Sequence, residues 1–382
     1  MAQLIRQEKE AILDANRKDL DAYRGDDLAM EDRLKVNDAK IEGMITSLEE
    51  LASQEDPLGQ ERFHFTHENG MEISNKTAPF GTVMIIYESR PDVTVEAAAI
   101  AFKSGNKILL KGGKESLHSN MVITGLWHRA LKEHHIESDR ITYLRFDRQE
   151  TREFLANPTE SIDLIVPRGG ERLIAFVKEH ATCPVVVSGR GNNFVYVHKD
   201  ADKELAKKVI LNAKTAKISA CNALDKVLID RHLEGKDTFL KELAALLQEK
   251  KVEIITDEAF QDLEGTSTLQ DDEIWYEEFL DYKILFGETE SLEHAVARIN
   301  KYSGGHSSSI ITADKKAADT FMVQVDAAAV YHNASTRFTD GSQLGLGGEL
   351  AISTDKLHQR GPIGLQHLVT NKWYIHGEGQ IR

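Results

Sequence analysis

The chain has 382 residues, 41% hydrophobic and 29% charged, a globular composition in a length that calls for two or three domains rather than one core. A formal net charge of −15 argues against sequence-independent nucleic-acid binding, so an anionic substrate would have to be captured by local basic residues. No apolar run could span a bilayer, the N-terminus lacks a signal-peptide core, and two cysteines make no disulfide framework; a cytoplasmic protein with no membrane partner is expected.

In chain order, residues 8–55 read as charged helix, with Ile12, Leu13, Leu20, Ile41, Ile45, Leu48 and Leu51 marking apolar faces. Asp56-Pro57-Leu58-Gly59 ends that pattern. Residues 62–67 and 71–77 alternate on either side of Asn69-Gly70, the short-range signature of a β-hairpin. Four short apolar runs follow, at 83–87, 107–110, 162–166 and 184–187, each ending in a polar or glycine-rich loop. Helical segments lie between them, including the alanine-rich 93–102. Strands buried on both faces and alternating with helices predict a parallel α/β sheet, and glycine turns at such strand ends admit phosphate to backbone N–H groups. The Gly-x-Gly-x-x-Gly fingerprint is absent, so the four strand ends together carry the nucleotide-binding expectation.

Residues 200–216 form an amphipathic helix leading to Cys221. A second α/β region is expected beyond it, with strands near 226–230, 252–256 and 282–286, then the glycine-rich 302–309 leading into Ile310 and Ile311. The tail at 370–375 reads as a strand with no obvious partner in sequence. The histidines, His134-His135 and His64/His67 among them, show no metal-ligand spacing, and no metal is expected.

Cys221 sits among small residues, amides, hydroxyls and two lysines, Lys214 and Lys217. A nucleophilic thiol needs access and nearby donors or positive charge, whereas a structural thiol lies in an apolar run. The stretch alone leaves both readings open. If Cys221 attacks an acyl carbon, oxyanion donors are needed, and its own N–H, Asn222 and Ser89 are candidates. Arg90, Arg337 and Arg360 lie in loops rather than on amphipathic faces, where bidentate arginines suit carboxylate or phosphate. His294, His306 and His332 could each serve a protease-like pair, and nothing in the sequence selects one.

Eight collinear motifs carry a resemblance: Tyr87-Glu88-Ser89-Arg90-Pro91-Asp92-Val93-Thr94, Lys103-Ser104-Gly105-Asn106, Lys111-Gly112-Gly113-Lys114-Glu115, Ile165-Val166-Pro167-Arg168-Gly169-Gly170, Asn212-Ala213-Lys214-Thr215, Cys221-Asn222-Ala223, the run from Asn333 through Arg337 to Gly341, and Arg360-Gly361-Pro362. From about residue 10 to the C-terminus the chain resembles the gamma-glutamyl phosphate reductases of the aldehyde dehydrogenase superfamily. The resemblance implies an aldehyde dehydrogenase-like α/β fold. Its expected parts are a Rossmann-type cofactor domain (1–62 and 80–188), an α/β catalytic domain (189–350) and a small β oligomerisation element (63–79 and 351–382).

It also implies NADPH-dependent reduction of L-glutamyl 5-phosphate to the 5-semialdehyde in proline biosynthesis. Cys221 would be the nucleophile, Asn222 and Ser89 would flank the oxyanion, and Arg90, His306, Arg337 and Arg360 would hold substrate. The cofactor would lie on Lys111, Gly113, Lys114, Gly169, Gly170 and Glu278. Lys114 takes the place of a ribose-binding Glu in NAD-using relatives, which favours NADP. Ser188 takes the place of the water-activating Glu of oxidising relatives.

Between Ser188 and Phe194 many relatives carry a His and a Gly-Ile-Cys-His segment that this chain lacks, and relatives are expected to have a further helix before the segment matching Leu13-Asp14-Ala15-Asn16. A homo-oligomer, with association to glutamate 5-kinase, completes the expectation. The rival readings are an aldehyde-oxidising dehydrogenase of the same superfamily and an inactive, truncated subunit acting as a binding partner.

Overall fold

The helical run expected over residues 8–55 folds as Lys9–Ala22, Leu28–Leu34 and Asp38–Ser53, preceded by the short Ala2–Gln7, in a computed structural model that describes residues 1–25 and 28–382. Residues 26 and 27 of that run lie outside the described residues. The third of these helices starts where the Asn37 side chain accepts a hydrogen bond from the Lys40 N–H at 2.9 Å, relieving one of the orphan donors of the first turn. Polar residues on the inner face of Lys9–Ala22 carry structure as well. Asn16 donates to the Leu34 carbonyl and accepts from the Val36 N–H, while buried Asp19 accepts from His118 N, Ser119 N and Ser119 Oγ at 2.6–2.9 Å. Asp19 thus caps, from a distant part of the chain, the first turn of the helix Leu117–Glu133 that follows the Lys111 loop.

The chain divides into two compact units, Met1–Val187 with Gly345–Ala351 and Pro362–Arg382, and Ser188–Leu344 with Ile352–Gly361. The expected hairpin and C-terminal arm therefore do not stand apart as a third body. They belong to the first unit, except for the excursion Ile352–Gly361.

In the first unit a parallel sheet runs in the order Ile141–Tyr143, Lys107–Lys111, Thr82–Tyr87, Leu164–Arg168. Its central strands are buried on both faces, which is why they read as unbroken apolar runs. The run at 184–187 forms only an isolated bridge, Val185 to Ile165, while three-residue Ile141–Tyr143, too short for any periodicity, supplies the edge. The hairpin pairs Glu61–Thr66 with Glu72–Pro79 around Gly70, whose φ of +89° is open to glycine at low cost. The tail strand is not an orphan: Val369–His376 pairs antiparallel with Glu72–Pro79 of the same chain, from Val369 opposite Pro79 to His376 opposite Glu72. Phe63, Phe65, Trp373 and Ile375 remain exposed on this three-stranded sheet, with Phe63 and Trp373 edge to face at 5.7 Å.

The second unit is built on a seven-stranded parallel sheet ordered Ser267–Thr268, Glu253–Thr256, Lys283–Thr289, Leu224–Asp230, Asn193–Val197, Ser307–Ile311, Ala329–His332. Leu224–Asp230 is buried along its whole length. Asn193–Val197, not anticipated from sequence, is equally buried and lies between it and Ser307–Ile311. Among the described residues no helix is long and apolar enough to cross a membrane, and no cluster of His, Cys, Asp or Glu could hold a metal ion.

Candidate active site

Two sets of candidate residues lie at the termini of parallel strands, one in each unit. In the first unit, Thr82–Tyr87 runs into Glu88, Ser89 and Arg90, and Pro91 opens the helix Pro91–Lys103 with a φ already suited to its first turn. Ser89 Oγ donates to Glu115 Oε2 at 3.0 Å, and Arg90 Nη2 donates to Asp92 Oδ2 at 3.1 Å. Both sequence-predicted groups thus carry local partners. Arg90 Nε and Asp92 Oδ1 are buried with no hydrogen bond among the described residues.

Lys111, at the end of its strand, folds back so that Nζ donates to the Gly112 carbonyl at 2.8 Å, and burial lowers its pKa against the opposing charges of Glu115 and Asp147. Gly113 precedes the 3-10 turn Lys114–Ser116, on which Lys114 is exposed. A Cβ on Gly113 would lie 2.9 Å from both Ser89 Oγ and Glu115 Oε2. At the next strand end Gly169 and Gly170 pack on Glu88. A Cβ on Gly169 would lie 2.7 Å from Glu88 Cδ, and the Gly170 N–H, at the start of the helix Glu171–His180, donates to Glu88 Oε1 at 3.1 Å. A partly buried lysine and glycines that add no side chain of their own at strand ends are chemistry suited to a dinucleotide, and these residues fit one.

In the second unit, Cys221 lies in the turn between the helix Lys203–Thr215 and the strand Leu224–Asp230, closed by Ala223 N to Ala220 O at 2.9 Å. Neither it nor Cys183 is in a disulfide. The Arg337 guanidinium interacts electrostatically with the Cys221 sulfur: burial lowers the arginine's pKa, while Cys221 and Asp340 act to raise it. Arg337 Nη1 is buried with no hydrogen bond among the described residues. A positive charge acting on the sulfur favours thiolate.

Asn222 is otherwise engaged than expected. Its Nδ2 donates to the carbonyls of Arg337 at 3.2 Å and Thr339 at 2.8 Å, and its own carbonyl accepts from Thr336 Oγ1 at 2.8 Å. Both N–H bonds of the amide are spent on backbone, so Asn222 ties the Cys221 turn to the 335–340 loop rather than offering donors to an oxyanion. His306 is also engaged with the protein, through Nδ1. It is fully buried, its Nδ1 meets Ser307 Oγ at 2.7 Å, and a hydroxyl chain continues through Thr339 Oγ1 at 2.7 Å to Tyr331 OH at 2.8 Å. Burial pushes its pKa down to about 4, so it is neutral near pH 7 and brings no charge to bind an anion. Arg360 is committed to Asp326, donating to Oδ1 at 2.7 Å and to the carbonyl at 3.2 Å.

Glu278 is held through its neighbours. Arg190 Nη1 donates to Tyr276 O at 3.0 Å, Asn192 Nδ2 to Trp275 O at 2.7 Å, and Lys226 Nζ to Glu277 O at 2.8 Å. Beyond it, Phe279 N donates to Asp225 Oδ2 at 3.0 Å. Asp225 can reach because the Asn193–Val197 to Leu224–Asp230 register slips there: Asn193 faces Leu224 and Phe194 faces Lys226, leaving Asp225 as a bulge residue. Asp225 also pairs with buried Lys214 at 3.1 Å. Lys226 lies 3.5 Å from the Phe279 ring centroid, and burial pushes its pKa down to about 7. Sequence reasoning missed Asn192, Asn193, Asp225 and Lys226. The signal available was the polar Asn192-Asn193 pair at the head of an otherwise apolar strand.

Of the predicted residues, Ser89, Arg90, Lys111, Gly113, Lys114, Gly169 and Gly170 belong to the first unit. Cys221, Asn222, Glu278, His306, Arg337 and Arg360 belong to the second. Within the second, Cys221, Asn222 and Arg337 come together, with His306 linked through Ser307 and Thr339.

Residues 3–261 match the aldehyde dehydrogenase family. Over 384 aligned positions the chain is 40% identical to the gamma-glutamyl phosphate reductases of Clostridium beijerinckii and Dictyoglomus thermophilum, covering 100% of this chain and 92% of each relative. Among solved structures it resembles gamma-glutamyl phosphate reductase from Thermotoga maritima with a TM-score of 0.94 and 39% identity, over 100% of this chain and 92% of the other. An acetylating aldehyde dehydrogenase from Geobacillus thermoglucosidasius, 16% identical with a TM-score of 0.69 over 100% and 93%, shares the fold.

Proposed function

The chain belongs to the gamma-glutamyl phosphate reductases of the aldehyde dehydrogenase family, and from that membership we propose how it reduces L-glutamyl 5-phosphate to L-glutamate 5-semialdehyde and phosphate in proline biosynthesis. Cys221 attacks the acyl carbon; the bond to the phosphate oxygen breaks and a thioester forms. A reduced nicotinamide cofactor, when bound, would supply the hydride that takes the thioester to the tetrahedral alkoxide of a thiohemiacetal. Collapse then breaks the C–S bond, releases the aldehyde and returns Cys221 to thiolate. The observation that carries this reading is Cys221 in a turn whose next residue, Asn222, is bonded to the Arg337 and Thr339 carbonyls, with the Arg337 charge acting on the thiol. That charge favours the thiolate both as nucleophile and as leaving group.

The Cys221 N–H is the oxyanion donor, because the Asn222 amide is spent on backbone and the single O–H of Ser89 on Glu115. In the first unit Lys111, Gly113, Gly169 and Gly170 would hold the dinucleotide; in the second, Glu278 would be a cofactor contact. Exposed Lys114 favours NADPH by attracting a 2′-phosphate. Ser188, whose hydroxyl donates to the Gly189 carbonyl at 3.4 Å, offers no base to activate water, so the thioester is resolved by hydride or, in reverse, by phosphate. The exposed aromatic face around Phe63 and Trp373 is the contact to a second copy.

The test is the reverse reaction, NADP reduction by glutamate semialdehyde with and without phosphate, in wild type and Cys221→Ser. Phosphate-dependent turnover that vanishes in the variant is expected. Turnover without phosphate would move the chain to the aldehyde-oxidising dehydrogenases.

A further inference from the structure

The segment 188–194 does specific work around the nucleophile. Asn193 is fully buried at the head of its strand, and its Nδ2 lies 2.7 Å from Gly191 O, 2.8 Å from Cys221 O and 2.6 Å from Ala223 O. The opposite amide orientation would set Oδ1 against three carbonyl oxygens, so the hydrogen-bond network fixes which end points inward. Two residues earlier, Gly191 is wedged between the same carbonyl and the cofactor-side carboxylate. A Cβ there would fall inside contact distance of Cys221 O and lie 2.6 Å from Glu278 Oε1. Arg190 and Asn192, on either side of Gly191, hold the carbonyls of Tyr276 and Trp275 that precede Glu278.

We infer that Gly191 and Asn193 are positioning residues for the reaction: Asn193 clamps the backbone of Cys221, and Gly191 sets the spacing between Cys221 and Glu278. This rests on Cys221 as nucleophile and Glu278 as a cofactor contact. With the carbonyls of Cys221 and Ala223 held by one amide, the direction of the Cys221 side chain is fixed before substrate arrives. With Gly191 as the spacer, the thioester carbon and the nicotinamide ribose contact are held at one separation. Hydride transfer is sensitive to such spacing, and a misplacement of about 1 Å costs on the order of a hundredfold in rate.

The experiment uses the full chain in a Cys183→Ser background, so that iodoacetamide alkylation reports Cys221, and compares Asn193→Asp, Asn193→Ala and Gly191→Ala. Asn193→Asp keeps the shape but turns a carboxylate oxygen toward the three carbonyls. Gly191→Ala removes no hydrogen bond and only forces the spacing. In variants with wild-type near-UV circular dichroism, kcat is expected to fall on the order of a hundredfold with KM little changed. The primary deuterium isotope effect from 4-deuterated NADPH should rise as hydride transfer becomes limiting, and the alkylation rate at Cys221 should change in the Asn193 variants.

Folded Asn193 variants that keep both kcat and alkylation rate would overturn the clamp. A fall in kcat with unchanged isotope effect and alkylation would overturn it too, because lost stability alone has that signature. Should the Asn193 variants fail to fold, Gly191→Ala carries the same measurements. A wild type without phosphate-dependent turnover would sink the functional reading, and alkylation of Asn193→Asp would still decide the clamp.

Discussion

His306 provides a test in which the perturbation, its sign and its size all come from burial. The imidazole is fully enclosed and neutral in the folded protein, with a pKa pushed from 6.5 to about 4, whereas in the unfolded chain it takes a proton near its ordinary value. Between those two values the unfolded state binds more protons than the native one, so stability is lost as pH falls from 6.5 towards 4, and no further loss arises below 4. That window is roughly two and a half pH units wide at about 1.36 kcal/mol each, so His306 alone costs the folded state about 3 kcal/mol on acidification.

His306→Gln removes the titration while keeping a polar group opposite Ser307 Oγ, at a pH-independent cost of about 1 kcal/mol for the altered hydrogen bond. Urea unfolding of the second unit can be followed by Trp275 fluorescence in a Trp127→Phe, Trp373→Phe background, since the other two tryptophans lie in the first unit. The wild type should lose about 3 kcal/mol relative to His306→Gln between pH 6.5 and 4. Parallel loss in the two proteins would refute the reasoning. The same neutrality predicts that His306→Gln leaves the KM for phosphate in the reverse reaction within about threefold of wild type, because a neutral ring contributes no charge–charge attraction.

Arg337→Gln should slow alkylation of Cys221 at pH 7 by about tenfold, roughly the 1.4 kcal/mol by which a nearby guanidinium favours thiolate; a rate unchanged across pH 6–9 would separate the two groups. Lys114→Glu should raise the KM for NADPH by about tenfold or more while leaving NADH nearly unaffected, since a 2′-phosphate would then meet a like charge. Equal effects on both cofactors would remove Lys114 from the phosphate site. Trp373→Asp places a charge on the exposed aromatic sheet face and should shift sedimentation towards a smaller species; an unchanged sedimentation coefficient would place the subunit contact elsewhere.

Sequence alone was sufficient where the signal was local. The apolar runs that became Thr82–Tyr87, Lys107–Lys111 and Lys283–Thr289 are continuous because parallel strands are covered on both faces, and the Asn69-Gly70 hairpin is encoded in its own turn. The family was legible for a similar reason, because loop motifs such as Lys111-Gly112-Gly113-Lys114 and Cys221-Asn222-Ala223 hold their pattern in adjacent residues. Tertiary structure decided whatever depends on what a side chain meets across the fold. It gave the tail strand Val369–His376 a partner nearly three hundred residues away and turned the Asn222 amide towards backbone. It also neutralised His306 by burial, committed Arg360 to Asp326, and set Asn193 on the carbonyl of Cys221. Hydrogen-bond partners and desolvation are properties of proximity, and proximity between distant residues exists only once the chain has folded.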